Sequence, residues 1–294
     1  MTTSAAELHE LPMLDAGTLD FDGARRVTFL LHQRFHYAYD GPVRDLDHRL
    51  MAIPRRQHGS ARRRVHHVQV SAPHAQTTLG RDRSGNVTAR IQVADVPDTV
   101  RFDVTAVVDR VGPMTDARLS KTAPHDPRLL RPTRRTEADE AIRTAAHSLA
   151  TKDHLETAER LCAYVHDTIT YEYGVTSVST TAAQALAGGR GVCQDSAHLM
   201  LALCHVLGIP ARYVSGHLLG EGGTHAWTEV ILADGDAARA VALDPCNGRP
   251  AGAGHLTVAV GRDYGDVAPT SGTYDGEASG RLTATKRVGV TAIE

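Results

Sequence analysis

Apolar and polar positions alternate with period two through residues 26–110, in the runs Val27-Thr28-Phe29-Leu30-Leu31, His36-Tyr37-Ala38-Tyr39, His66-His67-Val68-Gln69-Val70, Val87-Thr88-Ala89-Arg90-Ile91-Gln92-Val93 and residues 99–108. Asp40-Gly41-Pro42 and Ser84-Gly85-Asn86 supply turn signals between runs, and the pattern predicts an antiparallel β domain. Beyond residue 135 the period changes. Leu155, Ala158, Leu161, Cys162, Val165 and Ile169 recur at helical spacing, which predicts a helix over 153–169, with another over 137–150. Thr180 or Thr181 can cap a short helix through Leu186. Period two then returns at 213–219, 225–232 and 238–243, predicting three strands, with Gly220-Glu221-Gly222-Gly223 as the turn between the first two.

Between these regions lies the stretch GGRGVCQDSAHLMLALCHVLGIPAR, residues 188–212. Residues 193–207 contain neither Gly nor Pro, and Gly208 with Pro210 closes the run as a helix end. Apolar side chains at 197, 199–204, 206 and 207 leave no polar face, so the helix is predicted to be buried. Cys193 falls in its first turn, where unpaired N–H groups and the helix dipole favour a thiolate. Cys204 lies on nearly the same face but roughly 16 Å further along, at about 1.5 Å per residue, among aliphatic residues that suit an inert core thiol. A core role is equally open to Cys193 on this stretch alone. Asp195, in the same turn, reads as a helix-start stabiliser.

Length and charge narrow the possibilities. At 294 residues the chain has room for two domains or one large one. Its net charge of −2 and pI near 6.8 give no electrostatic reason to expect nucleic acid or a membrane as partner. Four cysteines without a CxxC spacing suit reduced thiols in the cytoplasm. The N-terminus lacks a basic start and an apolar core, and no apolar run is long enough to span a bilayer. The segmentation expected is a flexible tail over 1–22, a β-rich domain over 23–112, a proline-containing linker over 113–135, and a second domain over 136–294 with a C-terminal β extension. Arg55, Arg56, Arg62, Arg63 and Arg64 surround a Gly-Ser pair and read as a solvated loop.

A hairpin turning at Asp234-Gly235 would set His225 directly opposite Asp244, and Trp227 opposite Ala242 as a large–small pair. Cys at a helix start, His at a strand start and an acid on the neighbouring strand are the parts of a papain-type triad. The ordered motifs Gly191-Val192-Cys193-Gln194-Asp195, Gly208-Ile209-Pro210-Ala211-Arg212-Tyr213-Val214-Ser215-Gly216, His225-Ala226-Trp227 and Leu243-Asp244-Pro245-Cys246-Asn247-Gly248 resemble the bacterial transglutaminase-like superfamily. So does the run from Val258 to Pro269 with its Gly261-Arg262-Asp263-Tyr264-Gly265-Asp266 core. Upstream, His36-Tyr37-Ala38-Tyr39, His48-Arg49-Leu50 and Gly85-Asn86 resemble the family's β-rich N-terminal domain.

The resemblance implies an α+β fold: an antiparallel β domain followed by a papain-like, transglutaminase-like core whose nucleophile helix packs on an antiparallel sheet. It implies Cys193 as nucleophile, His225 as base and then acid, and Asp244 as orienting carboxylate, with no cofactor and no metal. Ser196 departs from the aromatic residue common at its position, and the single Trp, Trp227, follows the His and is expected to pack beside His225. The activity implied is thiol acyl transfer on a peptide, protein or small amide or acyl substrate, completed by water or by an amine. Two other classes stand beside it. One is a catalytically silent binding module; the other is a zinc protein using Cys193, Cys246 and nearby His198, His217 or His225.

Overall fold

A computed structural model gives the structure, and it describes residues 7–8, 10–21, 23–220 and 223–294. Residues 1–6, 9 and 22 of the predicted tail, and 221–222 of the predicted turn, lie outside the described residues. The first unit is built from β1 (Arg26–Tyr39), β2 (Val43–Ile53), β3 (Ala61–Val70), β4 (Gln76–Arg81), β5 (Val87–Val96) and β6 (Thr99–Val111). Alternation reveals β1, β3, β5 and β6. It does not reveal β2, because its last four residues, Leu50 to Ile53, are all buried and interrupt the period.

Next comes β7 (Ala117–Ser120), then α1 (Glu140–Leu149), α2 (His154–Thr168), α3 (Ala182–Gly188) and α4 (Cys193–Val206). Asp139 and Asp153 cap α1 and α2 by accepting the Ile142 and Glu156 amides. Thr181 and Gln184 form a reciprocal capping box on α3, which stops at Gly189 in a left-handed conformation. The remaining strands are β8 (Ala211–Leu218), β9 (His225–Asp234), β10 (Ala237–Asp244), β11 (His255–Gly261), β12 (Thr270–Asp275) and β13 (Gly280–Ile293).

Two antiparallel sheets form the first unit, ordered β13-β1-β6-β3 and β12-β2-β5-β4. They enclose one apolar cluster that includes Phe35, Leu46, Ile53, Ile91 and Phe102. The core sheet is also antiparallel and runs β10-β9-β8-β11, with β7 added beside β10. Against β8 and β9 packs α4, flanked by α1, α2 and α3. Every residue of α4 from Gln194 to Cys204 is buried, as a helix with no polar face requires.

The expected segmentation differs from the structure in three places. Part of the tail is docked: Leu8 is buried with Leu30 and Val107, and the Leu14 amide bonds to the Val290 carbonyl at 2.8 Å. The expected linker supplies strand β7, whose Ala117 to Ser120 pair with Ala240 to Ala237. The C-terminal extension does not enlarge the core sheet; β13 pairs along nearly the whole of β1 and β12 along β2. Both choices satisfy otherwise open strand edges.

The motif residues of the first unit hold it to the second. Asn86, fully buried, gives its side-chain amide to the Val260 carbonyl at 2.7 Å and accepts the Val260 amide at 2.9 Å, as a neighbouring strand would. Arg49 donates to the Asp266 carbonyl at 3.0 Å, while His48 meets the Thr270 hydroxyl at 2.6 Å within the β2–β12 pair. Glu229 of β9 is bound by Arg212 and by His58, each at 2.6 Å.

Candidate active site

The extended backbone at Val192 leads into α4, and Asp195 turns back to accept the Val192 amide at 2.8 Å and the Thr176 hydroxyl at 2.7 Å. The helix-start reading of Asp195 is the one its contacts bear out. Cys193, ahead of the buried run, is partly exposed. Its Sγ lies 4.0 Å from the Thr224 carbonyl, close enough to the His225 imidazole to favour a charge on that ring. Burial pushes the Cys162 and Cys204 thiols up to about 12, which leaves both inert at neutral pH.

His225 is the first residue of β9 and Asp244 the last of β10. His225 Nε2 donates to Asp244 Oδ2 at 2.8 Å. The two are not direct cross-strand partners, however. The hairpin turns at Gly235-Asp236, with Gly235 at φ +57°, so Asp234 pairs with Ala237 and Glu229 with Ala242. Gly, and not Asp, takes the first turn position because that position requires positive φ. The register predicted from a turn at Asp234-Gly235 is therefore corrected by two residues, and Trp227 lies beside Val214 of β8, not opposite Ala242. A shift of two keeps every side chain on its own face, and a histidine reaches the diagonal position as readily as the direct one.

Asp244 is fully buried and fully occupied. Its Oδ2 accepts from His225, from His255 Nε2 at 2.9 Å and from the Asn247 side chain at 2.8 Å. Oδ1 accepts the Cys246 and Asn247 amides at 3.1 and 3.2 Å. Burial opposes the negative charge, but these donors outweigh it and hold the carboxyl well below its usual range. Burial likewise opposes a charged His225, yet the bonds to Asp244 and Cys193 raise it to about 10. His225 is therefore held toward its charged form beside the Asp244 carboxylate and Cys193.

Trp227 packs beside His225 as expected, rings stacked with centroids 6.0 Å apart, and meets His255 edge-on at 5.1 Å. Gly216, cross-strand from His225, makes room for it: a Cβ there would meet the Trp227 ring at 2.5 Å and collide with the Leu256 carbonyl. Sequence reasoning missed His255. It stands on β11, separated from β10 by two strands, and reaches Asp244 only because residues 245–254 fold back across the strand ends. The Gly252 amide donates to its Nδ1 at 3.0 Å, which leaves Nε2 to carry the proton toward Asp244.

The zinc set considered from the sequence is not assembled. His198 accepts the Tyr264 amide and His217 contacts Lys286. Among the described residues, the cluster of metal-ligand type is His225, Asp244 and His255. Their donors are engaged with one another in hydrogen bonds.

Comparison with known proteins places the chain among relatives with this architecture. Residues 143–245 match the Transglutaminase-like superfamily and residues 29–109 the Bacterial transglutaminase-like N-terminal region. An uncharacterized protein of Mycobacterium leprae is 34% identical over 163 residues, 51% of this chain, which spans only 56% of that relative's length. An uncharacterized protein of Mycobacterium bovis is 28% identical over 285 residues, 87% of this chain and 89% of the relative. Among solved structures, a candidate cysteine protease from Cytophaga hutchinsonii superposes with a TM-score of 0.73 at 21% identity, covering 90% of this chain and 91% of that one.

Proposed function

The chain belongs to the transglutaminase-like superfamily, with the bacterial N-terminal region of that family, and from this premise we propose that it is a cysteine enzyme of acyl transfer. With the proton of Cys193 held on His225, the Sγ thiolate attacks the carbonyl carbon of an amide or peptide. The positive end of α4, with the Cys193 amide at its start, faces the oxyanion that develops. The C–N bond breaks, the leaving amine takes the proton from His225, and a Cys193 thioester remains. Water or a second amine then attacks the thioester, returning its proton through His225 to Cys193. Asp244 keeps the imidazole oriented through both steps and stabilises its charged form each time it carries the proton.

One observation carries this reading: the His225 imidazole is bonded to Asp244 at 2.8 Å and influenced by Cys193 at the start of α4. The test is alkylation by iodoacetamide with peptide mapping, followed by screening of peptide amides with and without an added primary amine. Selective labelling of Cys193 below the ordinary thiol value of about 8.5, lost in His225→Ala, supports the mechanism. Release of free acid then marks a hydrolase, and amine incorporation a transferase. Labelling of Cys193 no faster than that of Cys246 overturns the proposal and favours a silent binding module.

A further inference from the structure

A cleft of about 700 Å³ lies where the Ser84–Asn86 turn of the first unit meets β7, the segment 122–129 and the segment 260–266. Arg212 on its wall precedes Gly216, the partner of His225, by four positions on β8. At about 3.3 Å per residue the cleft stands roughly 13 Å along the strand from the Cys193 site. It is a separate place in the fold.

Six arginines line it: Arg49, Arg55, Arg83, Arg128, Arg212 and Arg262. Three have carboxylate partners: Arg128 with Asp126, Arg262 with Asp266, and Arg212 with Glu229. The others are provided for only in part. Arg49 donates to the Asp266 main-chain carbonyl, and Arg55, which the sequence assigns to a solvated loop, turns inward to the Ser84 carbonyl and the Asn86 side chain. Both bond only neutral acceptors through their terminal nitrogens. The Nε atoms of Arg49 and Arg55 are buried with no acceptor among the described residues. Asp82, the third acid on the wall, is taken up by the Ser84 and Asn86 amides of its own turn. Burial and the nearby Arg212 disfavour the charge on Arg55, and Glu229 and Asp82 offset part of this.

We infer that this cleft binds a small polyanion bearing phosphate or carboxylate groups, held by the guanidinium groups of Arg49, Arg55 and Arg83. An excess of like charge in a walled cleft is relieved by an anion. Guanidinium forks match the oxygens of phosphate and carboxylate in pairs. The ligand sits between segments of both units, so its binding also ties them together.

Isothermal titration of the full chain with inorganic pyrophosphate and, separately, with citrate tests the inference, at an ionic strength held constant with chloride. Saturable one-site binding of either probe is expected, and the tighter one identifies the phosphate or the carboxylate source. Arg49→Gln and Arg83→Gln should each weaken it by about tenfold, the scale of one charge-assisted contact. Arg281→Gln, the same charge change on exposed β13, should leave it unaltered. Arg83 is exposed at the rim, so its variant keeps the test open if Arg49→Gln does not fold. Absence of saturation with both probes, or equal weakening by Arg83→Gln and Arg281→Gln, overturns the inference.

Discussion

His255 donates Nε2–H to Asp244 at 2.9 Å, on the same oxygen that receives His225, although β11 and β10 are two strands apart. Removing that donor leaves part of a fully buried carboxylate unsatisfied, which weakens its hold on the His225 charge. In His255→Ala, the His225 titration followed by NMR should move below about 10, and Cys193 alkylation should slow by about tenfold or more, given roughly 1.5–3 kcal/mol for a charged hydrogen bond. His255→Gln, which restores an N–H donor, should recover part of both. A merely structural role would lower stability without moving the titration.

The raised value of His225 also makes stability depend on pH. A histidine whose folded pKa exceeds its unfolded value, about 6.5, contributes stability that is complete below the unfolded value and lost as pH rises through the folded one, about 10. Asp244 has the opposite sign: lowered in the fold, it contributes above the ordinary carboxylate range and loses that contribution as pH falls through its folded value. Urea midpoints should therefore show the gap between the protein and His225→Gln narrowing from about pH 6.5 toward pH 10.

Gly216→Ala should disturb the site without touching a reacting atom. The added methyl meets the Trp227 ring and the Leu256 carbonyl, and overpacking of this kind costs about 1–3 kcal/mol. Trp227 is the only tryptophan, so its fluorescence and near-ultraviolet dichroism report its displacement directly. Slower Cys193 labelling should accompany the change, because Trp227 stacks on His225.

Glu229 is buried between Arg212 and His58. Burial opposes its charge, but Arg212 and His58 hold its pKa down to about 2. Glu229→Ala strands the Arg212 guanidinium, itself only 7% exposed, and should cost about 3–5 kcal/mol in chemical denaturation. A compensating Arg212→Met in the same chain should return much of that loss.

The parts of the candidate site announce themselves along the chain for local reasons. Cys193 is marked by the glycines before it and the buried, Gly-free helix after it. His225 and Asp244 are marked by their places at two strand ends flanking a Gly-containing turn. Even a turn misplaced by one residue brought them to one face, because the period of a strand is two and the resulting shift was even.

Residues 117–120, 245–254 and 280–293 carry no such local mark. Their partners are decided by which edges and strand ends the folded units leave open, and that requires contacts between positions far apart in the chain. Hence β7 joins the core sheet and β13 closes on β1, His255 reaches Asp244, and six arginines from both units meet in one cleft. The sequence by itself determined the helix and strand periods, the family motifs and the order of Cys193, His225 and Asp244, all set by local spacing. Only the tertiary structure decided the hairpin register, the second histidine and the basic cleft, because each depends on chain closure over long separations.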